Sequence, residues 1–380
     1  MSRIAYVAPN RQIHLVEPDG RSSGLTDAAD GLIWASWVSA GQARYAHTWP
    51  GFSPSGDRVA CFRLREGGNA SVLVSSLDGI TSSEVLDLPD QVPIYLQWSV
   101  DGERLAAVSQ SGEDLLLTVG RTASVSSQKI LAKGSPLFFT WTPDGRLATF
   151  IGGGSANARM MIMDPDMRRP TEVLPGTPGD FCAPVTAGDS VLYGVHAGGR
   201  AEIVRVRGEG DAQHLPGGEG LLAFVASPDG RSLARAVAPG GDGSPYQGLS
   251  ILDLESGTER LISDMTCLAF MWVPDGSGLV VARVDSDRGL VEWYFIDTDG
   301  TARHVADLLP TRDFRFYLRF FEQYTQSHPI VDPDSRHLLL AGVLRGQIQG
   351  ARIWKCPLHG GAPREVAEGQ FATFSPPISN

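Results

Sequence analysis

The sequence predicts an all-β fold, an eight-bladed β-propeller of four-stranded antiparallel blades. Three observations carry this. First, one short phrase recurs as "FSPSGD", "SVDGE", "TPDGR", "TAGDS", "SPDGR", "VPDGS" and "DPDSR", with Gly56, Gly102, Gly145, Gly188, Gly230, Gly276 and Ser335 at the equivalent place. The intervals are 46, 43, 43, 42, 46 and 59 residues, the period of a propeller blade. Second, each copy has one internal order. An apolar run such as "IYLQW", "LFFTW" or "CLAFMW" precedes the turn; an alternating run, a third run, a second turn and a short polar strand follow. No long helical period interrupts it. Third, the 44 glycines and 25 prolines of the 380 residues fall mostly at turn positions and not in one block, so they mark tight turns and not disorder.

Taken in order, the chain opens on "RIAYVAP", "QIHLVEP" and, after the Asp-Gly turn at 19–20, "RSSGLTD". These are the second, third and fourth strands of a blade without its first. The terminal "FATFSPPI" is a first strand without followers. Joined, residues 370–380 and 3–27 make a composite blade that closes the ring and removes open sheet edges. The other blades are expected at 43–88, 92–133, 136–176, 178–216, 219–264, 266–308 and 310–367, all within one domain, 1–380. The copy around "CAPVTAGDSVLYGV" is the weakest. Absorbing it elsewhere would leave seven blades, but its interval of 43 gives it a blade of its own. Within the phrase, Pro presets φ, Asp bonds the backbone two residues on and Gly accepts positive φ. The repeated Asp residues are therefore turn formers, and Trp141 is packing between blades.

The phrase, an aromatic before Ser/Thr-Pro-Asp-Gly and Arg after it, resembles the TolB-type repeat, which also builds the propellers of prolyl oligopeptidases, dipeptidyl peptidases and oligogalacturonate lyases. The resemblance covers nearly the whole chain and implies a fold; the activities of these propellers are unrelated. The peptidases carry their serine on a separate hydrolase domain. The Gly-x-Ser-x-Gly string "GRSSG" at 20–24 falls on the Asp-Gly turn and the short polar strand after it, with no helix following, so it does not form a nucleophile elbow.

A net charge of −11 without a dense basic cluster argues against a nucleic-acid partner. Cys61, Cys182, Cys267 and Cys356 lie far apart without metal spacing and read as free, mostly buried thiols. The opening "MSRIAYVAPNRQ" lacks the pattern of a secretory leader, and no apolar run reaches the roughly 18 residues of a membrane span. A cytoplasmic monomer is expected.

Function is expected where the repeat is broken. Two segments gather aromatics: "GLIWASWVSAGQARYAHTWPGF", 31–52, and the insert "TRDFRFYLRFFEQYTQSHPIVDPDSR", 311–336, source of the 59-residue interval. Long aromatic loops carry function more often than structure. Aligned on Pro50 and Pro329, the two set His47 and His328 near the channel ends of their strands. The leading expectation is a non-catalytic scaffold binding a protein or peptide on an aromatic face of Trp37, Tyr45, His47, Trp49, Phe320, Phe321, Gln323, Tyr324 and His328 (loops 31–50 and 311–330), without a cofactor. The alternative is a channel-site lyase or hydrolase on an acidic saccharide or peptide. For it, His47, His328, Arg315 and Arg319 are the catalytic candidates, and Arg312 joins the arginines that would take carboxylates. The resemblance to oligogalacturonate lyases implies a divalent metal such as Mn held by Gln323 and His328; Ca is the other candidate. Gln326 stands where that family's pattern leads one to expect a third ligand, a His. A second possibility for the insert is a short helix capping the channel with its Phe residues buried.

Overall fold

The computed structural model describes residues 2–26, 45–65, 67–152, 158–179, 183–197, 200–208, 211–241, 243–347 and 350–377. It is all-β, in antiparallel sheets that are mostly four-stranded and follow chain order. Two compact units divide it: Met1–Leu131 with Leu308–Tyr317 and Tyr324–Asn380, and Ala132–Asp307 with Leu318–Gln323.

In the first unit the two termini share a sheet. Its order is Ser22–Gly24, Ile13–Val16, Ile4–Val7, Phe371–Phe374, with Ile4 opposite Phe374 and Val7 opposite Phe371. Arg3 N–H donates to Ser375 Oγ (2.9 Å), and Ser375 N–H returns a bond to the Arg3 carbonyl (2.9 Å). The composite sheet read from the unfinished terminal repeats is therefore formed. Two further sheets run Tyr45–Phe52 to Ser82–Leu88 and Val92–Trp98 to Ser124–Gly134.

In the second unit the weak copy builds its own sheet from Val185–Ala187, Ser190–Ala197, Arg200–Arg207 and Asp211–Gly218. It is flanked in sequence by the sheets starting at Leu137–Trp141 and Leu221–Ala226. Phe150, Tyr193, Phe224 and Leu252 lie in one apolar cluster there, burying the faces that a single sheet leaves open.

All seven residues that close the recurring phrase have positive φ, from 55° at Ser335 to 78° at Gly145. The Ser or Thr that opens the turn acts as its cap. Gly145 N–H donates to the Thr142 carbonyl (2.9 Å) and Arg146 N–H to Thr142 Oγ1 (3.0 Å); Gly230 and Ser232 bind Ser227 in the same way.

The departing copy is built differently from the entering loop that its length predicts. Leu308–Pro310, the end of Ala302–Pro310, pairs with Leu344–Gly342 of His337–Leu344, and Thr311 N–H donates to the Ala341 carbonyl (3.0 Å). The chain then leaves and returns at Ile330, where Leu339 N–H donates to the Ile330 carbonyl (2.7 Å) and Val331 bridges Leu338. Residues 308–311 and 330–332 thus form two parts of one strand, and 312–329 is spliced into its middle. The spliced segment is helical: α1 (Arg312–Arg319) and α2 (Phe321–Tyr324). Thr311 caps α1 through Oγ1 to Phe314 N–H (3.1 Å). Arg11 Nη1 donates to Asp313 in the first turn (2.6 Å).

Candidate functional site

The helical splice turns Phe314, Tyr317 and Leu318 inward and leaves Arg312, Arg315 and Arg319 exposed. A break at Phe320 resets the helical phase, and four consecutive residues, Phe321 to Tyr324, are buried. Their polar groups go to the backbone of strands that begin sheets, whose outer N–H and C=O groups have no ladder partner on that side.

Within the second unit, Gln323 behaves like a piece of β-strand. Its Oε1 accepts from Phe139 N–H (3.1 Å) and its Nε2 donates to the Phe139 carbonyl (2.6 Å). Glu322 Oε1 accepts from Phe224 N–H (3.2 Å). Phe321 packs 4.9 Å from Phe270 and 6.0 Å from Tyr246. Burial pushes the Glu322 carboxyl up to about 8, against the pull of the Phe224 N–H, so it is protonated and neutral at pH 7. It borders a narrow cleft of about 30 Å³, the space of about one water, lined also by Phe138, Tyr246, Arg319 and Phe320. The Arg319 guanidinium lies 5.6 Å from the Phe320 ring centre.

Within the first unit the residues form an apolar nest. Trp49 sits 4.5 Å from Tyr324, 4.8 Å from Phe371 and 5.8 Å from His328. A bulge between Thr48 and Gly51 holds Trp49 at φ 54°, unusual for a bulky residue. With its proton on Nε2, His328 donates to the Trp49 carbonyl (3.4 Å) and accepts the Ser327 hydroxyl at Nδ1 (2.6 Å). The Tyr324 hydroxyl donates to the Ile94 carbonyl. Burial holds His328 down at about 4. Burial, and next the Arg63 cation, hold His47 at about 4. His47 Nδ1 has no hydrogen-bond partner among the described residues.

Two of the expected placements change. The aromatic residues named for a docking face are largely interior: Trp49, Phe321, Tyr324, His47 and His328 are 7% exposed or less. Tyr45 lies under Arg63, 5.1 Å from its guanidinium carbon, and Trp37 falls outside the described residues. Gln323 and His328, the metal candidates of the alternative reading, place their polar atoms against backbone and Ser327. Of the arginines, Arg319 lines the cleft and Arg315 does not. Glu322 is the residue that the sequence reading passed over, as a charge among aromatics.

No family model matches the sequence, and no curated protein does. Solved structures do match. The dihydro-haem d1 dehydrogenase NirN is 12% identical with a TM-score of 0.56, over 97% of this chain and 73% of that one. The β-propeller domain of the trilobed protease from Pyrococcus furiosus is 13% identical at 0.53, over 86% and 99%. TolB from Acinetobacter baumannii is 17% identical at 0.43, and the chain spans 63% of its length. The non-catalytic scaffold is corrected on two counts: the propellers that this fold resembles include those of a dehydrogenase and of proteases, and the aromatic face meant for a partner is buried. At such identities the likeness is one of fold: the chain is a β-propeller, and the resemblance of its repeat holds at that level.

Proposed function

We propose that the chain is an enzyme of general acid–base type, a hydrolase or lyase, with the cleft over Glu322 as its reaction centre. The observation that carries it is a carboxyl that burial drives towards its neutral form, bordering a narrow cleft that an arginine also lines. A titratable group displaced by burial at the edge of a cleft is a candidate for a functional site. In this reading protonated Glu322 gives its proton to a leaving or carbonyl oxygen. Arg319 takes an anionic end of a small substrate, while Phe138, Tyr246 and Phe320 pack against its apolar part. Gln323, pinned to Phe139, holds Glu322 in place. The scaffold proposed for it has eight blades. Six four-stranded sheets support that count, as does one of seven strands in which Ala302–Pro310 closes one blade and opens the next.

A panel of aryl esters and glycosides, each with and without a carboxylate, tests this. Turnover is expected for the carboxylate-bearing members, falling as pH rises through about 8. Glu322→Gln, which keeps an acceptor for Phe224 N–H, should lower it by about 100-fold or more. Equal turnover by that variant, or indifference to the carboxylate, overturns the proposal.

A further inference from the structure

Trp98 in the first unit and Trp272 in the second stand at equivalent places in the repeat. Trp98 Nε1 donates to the Gly51 carbonyl (3.0 Å), two residues before Ser53; Trp272 Nε1 donates to the Val225 carbonyl (3.2 Å), two residues before Ser227. Ser53 and Ser227 then open the same turn. Each hydroxyl accepts the N–H five residues on, from Arg58 (3.1 Å) and from Ser232 (2.9 Å). Arg58 and Ser232 are therefore one position of the repeat, filled differently.

Arg58 fills the groove beside its tryptophan. Its guanidinium carbon stands 5.0 Å over the Trp98 ring. Nη2 donates to the Gly102 carbonyl (3.0 Å), and Nη1 lies 3.4 Å from Thr122 Oγ1. The same receptors recur in the second unit. Gly276 replaces Gly102 in the turn, with φ of 73° against 70°. Thr298 replaces Thr122: Thr122 N–H donates to the Glu103 carbonyl (3.0 Å) and Thr298 N–H to that of Ser277 (3.1 Å), each acceptor following its turn glycine. Ser232 is too short to reach any of them. Trp98 is buried, Trp272 only half-buried, and an open cleft of about 540 Å³ lies over Trp272, bordered by Ser232, Gly276 and Thr298. Asp229 and Asp275 also line it, against the single cation Arg260, so its walls carry one net negative charge.

We propose that this cleft binds a guanidinium group, held over Trp272 and bonded to Gly276 and Thr298 as the chain's own Arg58 is held over Trp98. A planar delocalised cation suits both parts of such a site, stacking on the indole and donating in its plane. The shared chemistry admits a free guanidino compound or an arginine side chain. Titration calorimetry of the full chain with agmatine and with N-acetylarginine amide separates the two, the tighter binder naming the source. One site per chain is expected, and N-acetylcitrulline amide, the neutral isostere, should bind at least about tenfold more weakly. Ser232→Arg supplies the cation internally and should abolish binding with the melting temperature kept or raised. Ser232→Ala should leave binding intact. Failure of both cations to bind, equal binding of the citrulline compound, retention in Ser232→Arg or loss in Ser232→Ala each overturns the proposal.

Discussion

Glu322 and His328 lie six residues apart in one insert, both buried against the backbone of a strand that begins a sheet, yet they answer pH in opposite senses. Glu322 docks on Phe224 of the second unit and is driven towards its protonated form. His328 docks on Trp49 of the first and is driven towards its deprotonated form. Burial does the same thing in both cases: it disfavours the charged state, which is the basic form of a carboxyl and the acidic form of an imidazole. The two parts of the insert are thus held neutral together only between about pH 4 and about pH 8.

The largest effect is expected from Glu322. Its folded pKa is raised from the ordinary 4.5 to about 8, so the folded state holds a proton that the unfolded chain has lost. Its contribution is whole below about 4.5 and disappears as pH rises through about 8, a change on the order of 5 kcal/mol. Melting temperature followed from pH 6.5, above the range in which the histidines act, to pH 9 should fall for the native chain and stay much flatter for Glu322→Gln. A variant with the same slope would show that the carboxyl is not neutral in the fold.

His328 should act next, and on the acid side. Its folded pKa lies below the ordinary 6.5, at about 4, so its contribution is present above 6.5 and is lost as pH falls through 4, on the order of 3 kcal/mol. His47 has the same window. In a Glu322→Gln background, where the opposing trend of that carboxyl is absent, His328→Gln should therefore remove about half of the stability lost between pH 6.5 and 4 in urea titrations. If the whole acid limb survives, His328 is charged or solvated and the contrast with Glu322 fails.

Little of this contrast was legible in the sequence, while the frame was legible almost throughout. The aligned glycines predicted positive φ at seven turns, and the seventh held even where Gly becomes Ser335, because the turn depends on local residues alone. The unfinished terminal repeats gave the composite sheet, since a missing strand has to be supplied from somewhere. The insert follows another logic. Phe314, Tyr317, Phe321 and Tyr324 keep helical spacing, so the apolar side of the segment could be read. Glu322 and Gln323 could not, because their partners, Phe224 and Phe139, are 98 and 184 residues away and offer only backbone, which carries no sequence signal. The splice point is hidden for the same reason: both parts of the interrupted strand look like ordinary apolar runs.

The comparison sharpens further when charge is taken away. Gln323→Ala should destabilise the chain by about 2 kcal/mol at every pH, since it strands both the N–H and the carbonyl of Phe139. Chemical denaturation at pH 5 and pH 8 checks that the loss is equal at both, unlike that of Glu322→Gln. Smallest of all should be Tyr324→Phe, which removes a single hydroxyl donor from the Ile94 carbonyl and leaves the ring between Trp49 and Tyr95. A loss of about 1 kcal/mol is expected, because one neutral hydrogen bond is exchanged and the packing stays. A loss as large as that of Gln323→Ala would mean that the first unit holds its part of the insert by hydrogen bonding. A small one means that Tyr324 is held chiefly by the aromatic nest, whereas Gln323 in the second unit is held by the hydrogen bonds it makes to backbone.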